Sequence, residues 1–317
     1  MNKLYMGLDI GSVMTKGIII DKYDNIIASV YVYTEGNSIK AVKKVVKDLK
    51  YEIDNNSEVV ALGVTGAGRK LIGTLLDAEI IKNEITTAAF GTIRLYPNVK
   101  TILELGGEDA KITLVNNGVV TDYAVNTLCT AGSGSFLDSL AKKLNISIDD
   151  ISRLAFASKN KVEIASRCMI FAETDIMHKL QTGYKIEDVL AGVSEMVAKN
   201  YLNSVAKGKK IQAPIVFNGG VSKNIMVIKE LERLLGEKII VNKNAHLMGA
   251  LGVAMMARES KKEHVFDFNI DNYKLETKMT KCNNCTNHCQ IVMVYKNDKI
   301  INYWGNRCEE ISILKNV

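Results

Sequence analysis

Residues 4–20 and 103–115 are two versions of one pattern, and a pattern met twice constrains the fold of this chain more than any other feature. The first version is Leu-Tyr-Met-Gly-Leu-Asp-Ile-Gly-Ser-Val-Met-Thr-Lys-Gly-Ile-Ile-Ile. It reads as strand, tight turn at Gly11-Ser12 and strand, because apolar β-branched residues flank the glycine. The second, Leu-Glu-Leu-Gly-Gly-Glu-Asp-Ala-Lys-Ile-Thr-Leu-Val, does the same around Gly106-Gly107. Asp9 precedes Lys16 by seven positions, and Glu104 precedes Lys111 by seven. An internal repeat of this kind predicts two similar domains facing one another across a cleft.

The remaining segments fit that plan. After the turn Asp24-Asn25, residues Ile26 to Tyr33 read as a third strand, 38–51 have helical spacing, and Val59 to Val64 read as a buried strand. Pro97 and Asn98 punctuate the chain before the second block. Further on, Ile215 to Asn218 is a buried strand ending in Gly219-Gly220, followed by a helix over 225–235, a strand at Ile239 to Val241 and an apolar helix over 247–258. The expected organisation is domain I over 1–100, completed by helix 247–258, then domain II over 101–246, a linker over 259–280 and a Cys-rich tail over 281–317.

With 317 residues there is chain enough for two cores. The longest apolar runs fall far short of a membrane span. The start runs straight into a strand without the apolar core or cleavage site of a signal peptide, so a cytoplasmic location and no membrane partner are expected. The formal charge of +6 comes from scattered lysines. Its densest cluster, Lys207-Gly-Lys-Lys, has no aromatic interleaving and reads as a solvated loop, which argues against a nucleic-acid partner.

Two strand–glycine–strand hairpins offer backbone N–H groups to phosphates at close range, because glycine lets the main chain approach. Ser12 and Thr15 add hydroxyls, and Asp9 suits Mg²⁺ held through water. Lys16 and Lys111 either reach phosphates or are simply solvated. Gly219-Gly220 would let an adenosine lie against the backbone. No Walker A sequence occurs, which excludes a P-loop enzyme. Any one such turn is weak on its own, since hairpins are full of glycine. Three in this order, two of them related by a repeat, carry weight.

The six cysteines fall into two groups. Cys129 and Cys168 each sit just ahead of a helix-like run, 133–143 and 169–180, and neither belongs to a CxxC. One subunit thus offers two thiolates where a cubane cluster needs four, and a two-fold dimer would supply the others. Helix N-termini would stabilise the anionic cluster. The plain alternative is two buried, inert cysteines. In the tail, Cys282, Cys285 and Cys289 form a compact knuckle. Strands at Ile291 to Tyr295 and Lys299 to Trp304 would return Cys308 to it, with His288 as a substitute ligand. This spacing predicts a metal and leaves open whether it is structural zinc or a second [4Fe-4S] cluster.

Asp9-Ile-Gly-Ser, Glu104-Leu-Gly-Gly and Phe217-Asn-Gly-Gly-Val-Ser-Lys-Asn together resemble the acetate and sugar kinase, Hsp70 and actin superfamily. That resemblance implies an α/β fold of two actin-like (ribonuclease H-like) domains around a nucleotide cleft, here followed by a small Cys-rich C-terminal hairpin module. It implies ATP/ADP and Mg²⁺ as ligands. More narrowly, 103–111, Cys129-Thr-Ala-Gly-Ser-Gly-Ser-Phe and Ala165-Ser-Arg-Cys-Met-Ile-Phe-Ala-Glu-Thr-Asp are similar to activators of 2-hydroxyacyl-CoA dehydratases, a family that includes the ATPase subunits of benzoyl-CoA reductases. Many members carry Asp and Gln where this chain has Glu104 and Glu108.

The narrower resemblance implies a homodimer with one [4Fe-4S] cluster held by Cys129 and Cys168 of each subunit. It implies nucleotide contacts from Asp9, Gly11, Ser12, Thr15 and Lys16 in the first hairpin, and from Gly106, Gly107, Gly132 and Gly134 in the second block. Gly219, Gly220, Lys223 and Asn224 complete the set. Glu104, Glu108 and Asp109 are then the candidates for orienting the hydrolytic water. The implied activity is ATP hydrolysis coupled to electron transfer. A dehydratase or related iron–sulfur reductase would be the acceptor, and a ferredoxin or flavodoxin the donor. The rivals are a small-molecule kinase with a structural zinc tail, which would draw its general base from the same three carboxylates, and a non-enzymatic nucleotide-dependent chaperone or scaffold.

Overall fold

The first glycine turn joins β1 (Asn2–Ile10) to β2 (Met14–Ile20), and β3 (Ile26–Tyr33) completes an antiparallel meander. The computed structural model describes residues 2–126, 133–164, 168–260, 264–283 and 285–308. After the meander the chain crosses over through α1 (Ser38–Tyr51) and returns as β4 (Ser57–Thr65), parallel to β1. A second crossover, α2 (Arg69–Leu75), leads to the short parallel strand β5 (Ile80–Ile81), and the sheet order is β3-β2-β1-β4-β5. Strands β1 and β4 are continuous apolar runs buried on both faces, whereas the edge strand β3 alternates. Helix α1 starts where the Asn37 side chain accepts the Lys40 N–H at 2.9 Å and buries Val42, Val45, Val46 and Leu49 on one stripe.

The second block repeats this topology. Helix α3 (Glu84–Leu95) precedes the meander β6 (Thr101–Leu105), β7 (Ala110–Asn116) and β8 (Val119–Asn126). Among the described residues, four α-helices then intervene where the first block has one: α4 (Gly134–Leu144), α5 (Ile148–Phe156), α6 (Met169–Gln181) and α7 (Ile186–Tyr201). Strand β9 (Ile215–Asn218) returns parallel to β6, and after α8 (Ile225–Leu235) strand β10 (Ile239–Val241) lies parallel to β9. The order β10-β9-β6-β7-β8 is the first sheet read from its other edge.

The chain divides into two units, Met1–Glu84 with Val253–Val317, and Ile85–Gly252. The sequence had put the first boundary at 100. The division falls earlier because Ala89 of α3 packs with Val99, Ile102, Val115 and Val216 of the second sheet. The return to the first unit falls inside α9 (Met248–Glu259).

The segment expected to be a linker, 259–280, is in its described part built into the first unit. The His264 and Phe266 amides donate to Val60 and Val59 carbonyls at 2.9 and 2.8 Å, and Phe266 and Ile270 are buried with Leu4, Met6 and Leu62. Its last residues open β11 (Leu275–Lys281), which pairs with the hairpin of β12 (Gln290–Lys296) and β13 (Lys299–Trp304). The tail is therefore a three-stranded antiparallel sheet, with Val294 reaching the same core as Phe266. Isolated apolar residues between polar ones gave no periodic signal for this packing. Among the described residues, no helix is long and apolar enough to cross a membrane.

Candidate functional site

In the first turn, Asp9 and Lys16 are cross-strand partners, so both side chains leave the sheet on one face. Lys16 Nζ donates to Asp9 Oδ2 at 2.8 Å. Asp9 is buried, and a buried carboxylate needs a cation or donors beside it. The Gly11 amide closes the turn on the Met14 carbonyl at 3.0 Å, and Ser12 stands exposed at the tip. Thr15 does not offer its hydroxyl outward as expected. It is fully buried with Oγ1 2.9 Å from Thr34 Oγ1, because strand alternation sends it to the face opposite Lys16.

Two other segments brace this turn. Thr34, just past β3, donates its hydroxyl to the Gly11 carbonyl and its amide to Val13, both at 2.8 Å. The loop after β4 passes Asp9 at Gly66, whose φ is +88° and where a Cβ would stand 2.6 Å from Asp9 Oδ1. Only glycine lets that main chain lie against the carboxylate. Arg69, the first residue of α2, donates to the Gly66 carbonyl at 2.9 Å and pairs with Glu84 at 3.3 Å.

The second turn repeats the first position for position. Glu104 and Lys111 are cross-strand partners with Lys111 Nζ 3.0 Å from Glu104 Oε1, and the Gly106 amide closes on the Asp109 carbonyl at 2.9 Å. Asp109 Oδ2 lies 3.7 Å from the same ammonium, and Glu108 is exposed in the turn after Gly107. The surroundings differ. The Gly134 and Ser135 amides, the first two of α4, donate to the Gly106 and Gly107 carbonyls at 2.9 and 2.8 Å. Helix-start amides normally need outside partners, and here the turn supplies them. Gly134, expected as a nucleotide contact, is the residue that lets α4 close on the turn, since a Cβ there would meet Gly106 O at 3.0 Å. Gly132 lies outside the described residues.

Tyr201, the last residue of α7, was not singled out by the sequence. It is fully buried, and its hydroxyl accepts from the Glu104 amide at 3.1 Å and donates to the Lys111 carbonyl at 2.6 Å. Burial pushes its phenol well above the ordinary tyrosine range, so it stays protonated and able to do both.

The third glycine segment meets the second turn within the same unit. Gly219 has φ +93°, and a Cβ there would stand 2.3 Å from Leu105 O, so the residue after β9 must be glycine. Gly220 opens a short helical turn that ends at Lys223. Asn224 is engaged differently from expectation: its Oδ1 accepts the Met226 and Val227 amides, each at 3.1 Å, and so caps α8. Asn218, the register partner of Glu104, donates to Thr92 at 2.8 Å while its buried Oδ1 has no hydrogen-bond partner. A buried acceptor without a partner beside an obligatory glycine fits a site that a polar ligand completes.

Of the two cysteines expected at a shared cluster, Cys129 lies outside the described residues. Cys168 is the residue from which α6 starts, its carbonyl taking the Ala172 amide at 2.9 Å. It is exposed, with Ile170 and Phe171 68% and 70% exposed beside it. Glu173, one turn further on, ties α6 to α4 by accepting from Ser139 at 3.2 Å and from Lys143. In the tail, the Cys282 amide donates to the Cys289 carbonyl at 2.8 Å at the open end of the β11–β12 pair, and the His288 amide to the Cys285 carbonyl at 3.3 Å. Gly305, with φ +104°, sits where a Cβ would be 2.2 Å from Gln290 O, so the chain leading to Cys308 passes beside the residue after Cys289. Among the described residues no three His, Cys, Asp or Glu side chains are grouped to hold a metal ion.

The BadF/BadG/BcrA/BcrD ATPase family model matches residues 6–257, spanning both glycine turns and α4 to α8. Over 260 residues the chain is 34% identical to the 2-hydroxyisocaproyl-CoA dehydratase activator of Clostridioides difficile, covering 81% of this chain and 96% of that protein. The solved structure of that activator with bound ADPNP is similar at a TM-score of 0.75 and 32% identity, covering 81% of this chain and 94% of that one. Component A of the (R)-2-hydroxyglutaryl-CoA dehydratase of Acidaminococcus fermentans gives 0.71 and 31%, covering 81% and 98%. The three-stranded tail lies outside the family match. On a match of this extent, the chain belongs to the BadF/BadG/BcrA/BcrD ATPase family.

Proposed function

We propose that this protein is an ATP-driven electron donor. In this reading two protomers hold one [4Fe-4S] cluster through Cys129 and Cys168 of each, and ATP hydrolysis drives an electron into a partner iron–sulfur enzyme. The partner is an acyl-CoA dehydratase or a related reductase, as the names of the relatives suggest. The observation that carries the proposal is the setting of Cys168. An inert cysteine belongs in a core, whereas this one is exposed at a helix start among exposed apolar side chains. Such a thiol suits a group shared with a second subunit.

The cluster would supply storage of one electron at low potential. The protein's own residues do the rest. Asp9 would be the residue to hold Mg²⁺, and Lys16, which now donates to Asp9 at 2.8 Å, would turn to phosphate. Since Gly11 and Gly106 use their amides to close the turns, phosphate contacts in this reading come from the residues that follow them. Glu104, Glu108 and Asp109 orient the attacking water, and Lys111 neutralises charge developing on the terminal phosphate. Gly219, Gly220 and Lys223 receive the adenosine. Helix α4 passes the state of the second turn toward the cysteine segments, through its amide bonds to Gly106 and Gly107 and its link to Glu173.

For the tail we propose a metal site on Cys282, Cys285, Cys289 and Cys308, either a second [4Fe-4S] cluster relaying electrons from a ferredoxin or flavodoxin or a structural zinc. The backbone pairing of Cys282 with Cys289 and the approach of Gly305 to Gln290 support it. The test is anaerobic purification. The protein should be brown, with a broad charge-transfer band that bleaches under an iron chelator plus ATP. Cys129→Ser should lose the bridging iron and partner activation, and Cys282→Ser only the tail metal. Colourless protein containing zinc alone would favour a kinase, and loss of all metal from either single variant would overturn the two-site assignment.

A further inference from the structure

The Glu104–Lys111 pair sits on two strands whose main chains are joined at that point by a side chain from a helix. Tyr201 Oη takes the Glu104 N–H at 3.1 Å and gives its proton to the Lys111 carbonyl at 2.6 Å. We propose that Tyr201 is a positioning residue for ATP hydrolysis, its hydroxyl setting the strand spacing that holds the Glu104 carboxylate and the Lys111 ammonium in their working geometry. This deepens the function proposed above and rests on its placing that pair at the terminal phosphate.

The physical case is specific to the hydroxyl. Donor and acceptor face each other across β6 and β7, and one protonated phenol satisfies both. Phenylalanine would fill the same space and leave the two groups to bond directly, which draws the strands together, or to remain buried and unpartnered. Either outcome moves the ion pair, and a shift well under 1 Å matters to a reacting geometry. The ring is itself fixed. Phe217 meets it edge-on at 6.4 Å, while Ser204 Oγ donates to the main-chain carbonyl of Tyr201 at 2.9 Å. Immediately after Tyr201 the helix widens into a π turn over Leu202–Ala206, a rare insertion that recurs at functional positions.

The experiment is steady-state ATP hydrolysis by the full chain, purified anaerobically and assayed well below its melting temperature. Tyr201→Phe is expected to lower kcat on the order of tenfold while KM for ATP stays within about twofold. Val197→Ala, a buried α7 residue of the same core, should lower the melting temperature and leave kcat unchanged. Since Tyr201 acts through Glu104 and Lys111, the double variant with Glu104→Gln should lose clearly less than the product of the two single losses. Wild-type kcat in Tyr201→Phe, an equal loss in Val197→Ala, or multiplicative losses in the double variant would each overturn the inference. If Tyr201→Phe does not fold, Phe217→Leu, which removes the edge-on contact that seats the ring, decides: a kcat lowered about two- to threefold supports the inference and an unchanged one overturns it. Wild-type protein without ATP hydrolysis would instead sink the functional reading and this inference together.

Discussion

The two glycine turns share their spacing and register, yet they are held in place by different means. The first is braced by its own sheet: Thr34 from the end of β3 and the Gly66 loop from the end of β4. The second is braced by helices, with the opening amides of α4 on the Gly106 and Gly107 carbonyls and Tyr201 of α7 between its strands. The cause lies in the crossover. Among the described residues, the crossover between β3 and β4 carries one α-helix and that between β8 and β9 four. In the function proposed above, a turn clamped by its own sheet would only hold its ligand, whereas one bonded to helices would relay its state. The cysteines sit in the inserted segment, ahead of α4 and α6.

The strongest challenge to this contrast compares Glu104→Gln with Asp9→Asn. Glu104→Gln should lower kcat for ATP hydrolysis on the order of 100-fold with little change in KM. Asp9→Asn should chiefly raise the Mg²⁺ concentration needed, as read from phosphate release across a Mg²⁺ titration. Matching profiles would erase the distinction between the turns. Next in size is Gly134→Ala, whose new methyl would press on Gly106 O at 3.0 Å. Partner reduction should slow about tenfold while nucleotide affinity stays within a few-fold, in line with about 1–3 kcal/mol for overpacking.

Glu173→Gln sharpens the contrast further along the same path, by weakening the α4–α6 tie. Partner activation should fall by a factor of about two to five, the scale of a single partly exposed ion pair, with ATP hydrolysis unaltered. The smallest effect is expected at Asp188, which holds the chain leading toward Cys168 through bonds to Ser158 Oγ and the Lys159 and Asn160 amides. The Ser158 hydroxyl, then the Asn160 amide, keep this carboxyl below its usual range. A depressed value means stability that is complete above the unfolded carboxyl's 3.8 and lost as pH falls through the folded value. Asp188→Asn should therefore melt lower at pH 7, and the gap to wild type should close toward pH 3, as followed by circular dichroism.

What could be read in the sequence was whatever lies close along the chain. The hairpins at 4–20 and 103–115, helix 38–51 and helix 225–235 announce themselves through local periodicity and turn glycines, and they form where expected. The bracing was hidden because its partners are remote. Thr34 meets Gly11 across 23 positions and Tyr201 meets Glu104 across 97. A lone tyrosine closing an amphipathic helix looks like any core residue. Two residues are engaged in ways that the local pattern also allowed: alternation with Lys16 turns the Thr15 hydroxyl inward to Thr34, and Asn224, immediately before Ile225, caps the helix with its Oδ1.

The seam joining the tail to the first unit has a practical consequence for anyone trimming this protein. Phe266, Ile270 and Val294 plug the same oily surface as Leu4, Met6 and Leu75, with Trp304 and Leu275 laid over it. A fragment ended at Ser260 would bare that surface to water and clump. The tail's thiols are thus not a detachable cartridge: they travel with the first unit as permanent passengers.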